Sequence, residues 1–325
     1  MKASLFGAAA ALVCAAFLAP ASFAADGDRP VFRIGTMPWI GYGQWEVARQ
    51  RGLFGKNGLV NVKFVTFSED KDLQSALASG KVDAANLSTQ GAMALVSAGV
   101  PIKVVMLEDF SLTADAILSD GSVASLKDLK GKSIAFEQGS TSDILLNVAL
   151  QSQALKLGDI RAVPMPAADA GAALIARRVP VAVTYEPYLS TARAENPGLK
   201  VLYTAGAAPG VVSDVLAVRS DVIRARRTDV ERLVHSWDDA LRYYDEHLAD
   251  SRRMIARSVG SSPSELATAF DGVRFYSLAE NRTQLGGSFA RKTYGQVQSA
   301  AMRAGVLTRP VPAAQVIDTE FVTAR

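Results

Sequence analysis

The stretch Leu77-Ala78-Ser79-Gly80-Lys81-Val82-Asp83-Ala84-Ala85 is echoed 97 residues later by Leu174-Ile175-Ala176-Arg177-Arg178-Val179-Pro180-Val181-Ala182. In both copies the end of a helical pattern leads into a short apolar strand. Ile34 precedes Val82 by 48 residues and Ile134 precedes Val181 by 47, so the first and third strands of two units keep the same interval. Two similar βαβαβ units predict two similar lobes.

Apolar strands alternate with helical patterns from Val31 to Leu199, which predicts an α/β fold. The predicted strands are 31–35, 60–67, 82–87, 102–107, 132–136, 160–165 and 181–185. The predicted helices of this part are 44–51, 71–79, 90–98, 143–154, 168–178 and one that starts near Pro187. After Val218 the pattern is helical, with predicted helices at 221–249, 251–259, 264–271 and 292–304.

The first 24 residues have the pattern of a cleaved secretory signal. Lys2 is followed by an uncharged run over 3–19, and the small residues Ser22 and Ala24 precede a predicted cut after Ala24. This apolar run is short for a membrane-spanning helix. The single cysteine, Cys14, lies inside the leader, so the mature chain is expected to lack thiols and disulfides and to be periplasmic.

The charge balance excludes one class of partner. Of 35 Lys and Arg, one lies in the leader, which leaves 34 against 32 Asp and Glu in the mature chain. A nearly neutral chain of this kind does not have the composition of a strongly basic nucleic-acid-binding protein.

Ligands of open α/β sheets bind outside the carboxyl ends of the strands, which selects the loops that follow each predicted strand. The loop over 137–142 joins a strand to a helix and offers Gly139, Ser140, Thr141 and Ser142 at a helix N-terminus. Such an end can bind a sulfonate, phosphate, carboxylate or nitrate, although the same hydroxyls could simply cap the helix. Ser88 and Thr89 form the corresponding end in the first unit, with the same two interpretations.

Aromatic residues occupy another of these loops. Trp39 and Tyr42 lie in the Gly- and Pro-rich segment Met37-Pro38-Trp39-Ile40-Gly41-Tyr42-Gly43, where they could form the wall of a pocket or pack on a neighbour. Trp45 lies inside the next helix and is expected in the core. The loop over 108–111 adds Glu108 to the candidate ligand-binding residues.

Two acids suggest an amine-bearing ligand. Glu186 follows a predicted strand, and Asp214 stands alone in an apolar run. Glu186 could accept hydrogen bonds from an amine or could cap the following helix, and Asp214 could be a turn residue or a buried counter-charge. Because the candidate loops carry no Lys or Arg, we expect a zwitterion such as a taurine-like solute in preference to a plain inorganic anion.

Sequence patterns of the common hydrolases and nucleotide-binding proteins are absent. The chain has no Gly-x-Ser-x-Gly and no Gly-x-x-x-x-Gly-Lys segment, and its two histidines, His235 and His247, lie far from the strand-end loops. No catalytic residue, metal ligand or cofactor is therefore predicted.

Several motifs together resemble a known family. They are Ala48-x-x-x-Gly52-Leu53-Phe54, the segments 76–84 and 125–132, Gly139-Ser140-Thr141-Ser142, Asp169-Ala170-Gly171-Ala172-Ala173 and Tyr185-Glu186-Pro187-Tyr188-Leu189-Ser190. With these motifs the chain resembles the periplasmic substrate-binding proteins of ABC importers, in the branch that serves nitrate, sulfonates, taurine and thiamine-precursor pyrimidines. The resemblance covers about residues 31–248.

The resemblance implies a two-lobed clamp in which each lobe is a mixed sheet flanked by helices and two hinge crossings join the lobes. Carried onto this chain, lobe 1 comprises 25–113 and 217–325, and lobe 2 comprises 114–216. Two departures from the family pattern stand out: Pro180 replaces a frequent Asp, and Thr113 replaces a frequent Gly near a hinge.

The function implied by the resemblance is solute capture for import. The expected partners are a small solute and the permease and ATPase of an ABC transporter, with no nucleic acid, and a monomer is expected. The alternatives are a binding protein for a pyrimidine or an inorganic anion, and a secreted enzyme of the same fold that resembles a pyrimidine synthase.

Overall fold

A computed structural model describes residues 30–323 of the chain, so the predicted leader, its cut after Ala24 and Cys14 lie outside the described residues. Eleven strands form two sheets within that range. They are β1 (Phe32–Thr36), β2 (Val62–Thr66), β3 (Ala84–Ser88), β4 (Ile102–Ser111), β5 (Asp115–Ser119), β6 (Ser133–Phe136), β7 (Arg161–Pro164), β8 (Val181–Tyr185), β9 (Lys200–Thr204), β10 (Ser213–Arg219) and β11 (Val273–Phe275).

The two sheets repeat one topology. The first sheet has the order β11-β4-β10-β3-β1-β2 and the second β7-β6-β8-β5-β9. The parallel set β2-β1-β3 corresponds to β7-β6-β8, and the next strand, β10 or β5, runs antiparallel in each sheet. Ile34 pairs with Ala84 and Ile134 with Val181, so the two units repeat the strand order while the paired residues are 50 and 47 positions apart and Val82 precedes its strand. The prediction of two mixed sheets in an α/β fold is confirmed.

Helices cover the faces of these sheets, as parallel strands require. They are α1 (Gly43–Gln50), α2 (Leu53–Lys56), α3 (Asp70–Ala78), α4 (Thr89–Ser97), α5 (Thr141–Gln151), α6 (Ala167–Ile175), α7 (Tyr188–Glu195), α8 (Ser220–Ala225), α9 (Arg227–Glu246), α10 (Leu248–Ser258), α11 (Leu278–Thr283), α12 (Tyr294–Arg303), α13 (Ala313–Val316) and α14 (Glu320–Thr323). A π-helical segment, Gln284–Thr293, joins α11 to α12. The central strands β3 and β8 are buried along their whole length.

The C-terminal part differs from the sequence prediction, which also lacks β11 and α11. The helix predicted over 221–249 is divided into α8, α9 and the start of α10. The helix predicted over 264–271 is wrong, because turns and a short 3-10 helix, Ala269–Gly272, take its place. This path brings the Gly272 carbonyl to accept hydrogen bonds from the N–H groups of Leu112 (2.7 Å) and Thr113 (3.2 Å). A tertiary contact with residues 112 and 113 therefore overrides the local helical pattern.

Two chain crossings join the sheets and lie side by side. The first runs from β4 to β5 over 112–114, and the second runs from β9 to β10 over 205–212. Gly206 N–H donates to the Leu112 carbonyl (2.5 Å), and Ser111 N–H donates to the Val212 carbonyl (3.0 Å). Because β10 pairs along its whole length within the first sheet, the second crossing precedes Ser213, whereas the sequence boundary was drawn after residue 216.

The largest core cluster joins the first sheet to the C-terminal helices. Trp237 on α9 is fully buried and donates from Nε1 to the Tyr276 carbonyl (2.9 Å). Trp45 packs against Trp237 with ring centroids 4.9 Å apart, so its predicted core position is confirmed. Within 30–323, none of the helices combines the length and apolar character needed to cross a lipid bilayer.

Candidate functional site

A cleft of about 340 Å³, which includes space open to solvent, lies between the two sheets, beside the crossings. Its lining residues are Met37, Trp39, Tyr42, Asp70, Ser88, Asp115, Thr141, Tyr185, Val212 and Asp214. Five come from the loops and helix starts of the first parallel set, and three come from the second sheet or the helix beside it. The rule that places ligands at strand carboxyl ends therefore selects residues that line one cleft.

Trp39 and Tyr42 form the aromatic wall contributed by the first lobe. A short 3-10 helix, Ile40–Tyr42, turns the chain so that Trp39 Nε1 reaches the carboxylate of Asp109 (3.3 Å) and Tyr42 Oη donates to Asp214 Oδ1 (3.0 Å). Position 41 requires glycine, because a Cβ on Gly41 would overlap Trp39 Nε1 and the Asp109 carboxylate. The ring of Trp39 meets Tyr185 of the second sheet edge-on, with centroids 5.8 Å apart.

The two helix ends that the sequence proposed for anion binding are occupied by their own side chains. Ser88 Oγ accepts from Gly91 N–H (3.3 Å) at the start of α4, and Ser140 Oγ accepts from Ser142 N–H (3.1 Å) at the start of α5. Gly139 N–H donates to Asp143 Oδ2 (2.9 Å). The capping alternative thus describes these hydroxyls, since each meets a first-turn N–H group.

Only part of the proposed anion-binding set lines the cavity. Ser88 and Thr141 do, whereas Thr89 Oγ1 is bonded to Ser213 (2.9 Å between hydroxyls) and Ser140 is fully buried beneath its helix. Gly139 lines a separate groove with Glu137 and Asp143. Ser142 is buried, and its hydroxyl does not line the cavity.

Glu186 and Glu108 lie away from the cavity. The carboxylate of Glu186 accepts from the N–H (3.0 Å) and the hydroxyl (2.9 Å) of Ser190, so it caps α7. Glu108 Oε1 accepts from Trp45 Nε1 (2.8 Å) inside the first lobe. The expected pairing of Glu186 with Asp214 around one amine is therefore wrong, because the two acids line different spaces.

Other carboxyls replace Glu186 beside Asp214. Asp109 faces Asp214 across the paired strands β4 and β10. Asp115, at the start of β5, and Asp70, at the start of α3, line the same cavity as Asp214. Asp70 N–H donates to Glu137 Oε1 (3.0 Å), which links the first lobe to the second at the edge of the site.

Burial raises the pKa values of these carboxyls. Burial, with the charges of Glu137 and Asp115, raises the pKa of Asp70 to about 7. Burial raises the pKa of Asp115 to about 7, against the opposing effect of the Ser111 hydrogen bond. Burial and the charge of Asp109 hold the pKa of Asp214 well above its usual range. Each group therefore favours its neutral form unless a positive charge approaches it.

The sequence analysis did not select Asp70, Asp109, Asp115 or Tyr185 as ligand contacts. Asp115 carries the signal that had selected Asp214, an acid alone in the apolar run Ala114-Asp115-Ala116-Ile117-Leu118. Tyr185 is the last residue of its strand and lines the cavity, whereas the sequence analysis selected the next residue, Glu186. His235 and His247 do not line the cavity, and residues 30–323 contain no group of three or more His, Cys, Asp or Glu placed to hold a metal ion.

The chain is similar in sequence to several proteins that are named as binding proteins. The chain is 27% identical over 153 residues to a binding protein of Brucella abortus, an alignment that covers 47% of each chain. It is 30% identical over 118 residues to the taurine-binding periplasmic protein of Escherichia coli, with 36% of this chain and 37% of the relative covered. The chain thus spans about half the length of the curated relatives it matches.

The fold is shared with solved structures over most of the chain. The alkanesulfonate-binding protein of Xanthomonas axonopodis pv. citri, solved with MOPS bound, superposes with a TM-score of 0.72 at 21% identity. This superposition covers 90% of the present chain and 99% of that protein. At the sequence level, residues 26–260 match the NMT1-like family. Because this match spans well over half of the sequence, the chain belongs to the NMT1-like family.

Proposed function

We propose that this protein is the periplasmic solute-binding component of an ABC importer, which captures a small solute between its two lobes and delivers it to a membrane permease. The observation that carries the proposal is the cavity enclosed by side chains from both lobes, next to the two crossings that would act as hinges. Ligand sites are concave and lined mainly by apolar and aromatic side chains, with a few convergent polar groups. Here Trp39 and Tyr185 are aromatic lining residues, and Asp214 is a polar one.

The relatives support the same role. The matched proteins are named for binding, and one of them is a taurine-binding periplasmic protein. We therefore propose secretion through a leader cut after Ala24, a monomer in the periplasm, and a permease and ATPase complex as partner. The lobes would be 25–113 with 217–325 and 114–216, apart from the strand β10, which belongs to the first sheet.

The proposed solute is small and of the sulfonate or taurine-like class. The residues proposed to contact it are Trp39, Tyr42, Ser88, Thr141 and Asp214, with Asp70, Asp115 and Tyr185 added by the structure. Binding without turnover is the favoured chemistry, because the matched relatives are named for binding.

The test is a thermal-shift and calorimetry screen of the chain from Ala25 onward. Taurine, alkanesulfonates, nitrate, bicarbonate, pyrimidines and small amines form the panel. A solute at a hundredfold excess over its Kd stabilises the folded state by about 2.7 kcal/mol, so at least one should raise the melting temperature. Trp39→Ala should weaken that response, whereas Asp169→Asn on the exposed surface of α6 should leave it unchanged.

Two results would count against solute capture. One is a melting temperature that no member of the panel changes. The other is chemical conversion of a bound solute, followed by mass spectrometry, since a transport protein returns its ligand intact.

A further inference from the structure

The cavity holds several carboxyl groups and none of the cations that would stabilise their ionised forms. Asp70, Asp115 and Asp214 line it, and Asp109 lies directly behind Asp214. None of the ten described lining residues is Lys, Arg or His. Buried carboxylates are unfavourable unless a positive charge or several hydrogen bonds compensate them, so the site lacks a counter-charge that a ligand could supply.

One carboxylate oxygen is available for a donor. Asp115 is 3% exposed and lines the cavity, and no described donor meets hydrogen-bond geometry at its Oδ2. The hydroxyls of Ser111 and Thr141 lie close enough to this carboxyl to oppose the rise in its pKa. On the opposite wall, Tyr42 already donates to Asp214 Oδ1. A buried acceptor without a donor is uncommon in folded proteins, and it marks the place where an N–H group of a ligand would bind.

Aromatic residues line the same cavity as these acids. Trp39, Tyr42 and Tyr185 line the cavity together with Asp115 and Asp214. Aromatic faces attract cations and add to the attraction of the carboxylates when water is excluded. Three of the N–H groups that could receive an anion, those of Gly91, Ser142 and Gly139, are bonded to side chains of their own loops.

We propose that the cleft recognises its solute through a positively charged nitrogen, a protonated amine or amidine, held between Asp115 of the second lobe and Asp214 of the first. Asp70 adds a third carboxyl to the same space. This inference rests on the proposed function and specifies what the site reads: the nitrogen of a taurine-like solute is required, and its acid group is optional. The raised pKa values of Asp70 and Asp115 agree with it, since an arriving cation favours their ionised forms.

Matched solutes separate the nitrogen from the acid group. Taurine and 2-hydroxyethanesulfonate differ only in an ammonium against a hydroxyl, and 1,2-diaminoethane carries amines without an acid. Ethanesulfonate and nitrate represent anions, and calcium and zinc chlorides represent metal cations. The panel is extended with alkylamines, guanidines and aminopyrimidines, and Kd is measured by calorimetry at pH 7.5 for every solute that raises the melting temperature.

Matched variants assign the contacts. For a nitrogen-bearing solute, Asp115→Asn and Asp214→Asn should each weaken binding by about ten- to a hundredfold, since each removes a charge-assisted hydrogen bond. Asp169→Asn removes an exposed carboxyl of the second lobe and should leave Kd unchanged. Circular dichroism and the melting temperature without solute verify that each variant is folded.

The outcomes separate the two proposals. Binding of nitrogen-bearing solutes with loss in both variants supports the inference. Binding of ethanesulfonate, nitrate or a metal ion as tight as that of any amine, or unchanged amine binding in both variants, overturns it and retains solute capture. A panel in which no solute binds overturns both.

Discussion

At the scale of single residues, the site is defined by carboxyls that lack positive partners. Asp115 and Asp214 come from different sheets and line one cavity, and Asp109 adds its charge from the neighbouring strand. Tyr42 donates to Asp214 and Trp39 to Asp109, but neutral donors compensate only part of a buried charge. These residues should therefore make stability depend on pH.

We expect the unliganded protein to lose stability as pH rises from about 5 to 8. Asp70 and Asp115 have pKa values of about 7 in the folded state, whereas an unfolded Asp titrates near 4. The folded state therefore binds more protons between these values, and the stability that this provides is complete below about 4 and is lost as pH passes 7. Urea unfolding at pH 5, 6, 7 and 8 measures it.

The acids that neighbour Asp70 and Asp115 also raise the pKa values of these two groups, so they favour the same loss of stability with rising pH. Glu137 and Asp115 act on Asp70, and Glu186 acts on Asp115, while the nearby cation Lys71 is exposed and paired with Glu69 at 2.7 Å. Asp115→Asn should reduce the pH slope, and Asp169→Asn should preserve it. A free energy of unfolding that is flat or rises between pH 5 and 8 in the parent protein would show that these carboxyls are compensated in the folded state.

At the scale of secondary-structure elements, the close approach at Gly272 controls the first crossing. A Cβ at Gly272 would stand 2.6 Å from Thr113 Oγ1 and 2.9 Å from the Ala114 nitrogen. Gly272→Ala should therefore displace the 112–114 crossing and lower the free energy of unfolding by on the order of 1–3 kcal/mol. Gly295→Ala is the control, because a Cβ there meets nothing within 4 Å in α12.

Chemical denaturation of both glycine variants measures the effect. Equal stability of Gly272→Ala and the parent protein would mean that the crossing yields without cost. Such a result would also remove the physical account of why the chain leaves a helical path before Gly272. Solute affinity of the same variant reports whether a displaced crossing changes the ability of the lobes to meet.

For the molecule as a whole, the sequence predicted the order of the strands and helices better than it predicted which side chains meet. The interval between Ile34 and Val82 and between Ile134 and Val181 was sufficient for the two units, because strand pairing follows from local pattern and the repeat. The partners of Glu186 depend on side-chain direction at the start of α7, which no spacing encodes. Asp115 and Asp214 are 99 residues apart, and only the two crossings bring them to one cavity.

The same arrangement predicts a change of shape on binding. In the structure the lobes meet through the Trp39–Tyr185 ring contact and the Asp70–Glu137 hydrogen bond, which together close the space around Asp115 and Asp214. A solute that contacts both lobes binds this closed form more tightly than an open one, and only such a difference in affinity can shift the populations.

We expect small-angle scattering to show a smaller radius of gyration when the tightest-binding solute of the panel is saturating. Asp115→Asn, with its solute affinity reduced, should require a higher concentration for the same change, and Asp169→Asn should behave as the parent protein. A radius that stays constant at saturation would mean that the two lobes move as one rigid body and that solute enters without rotation about the crossings.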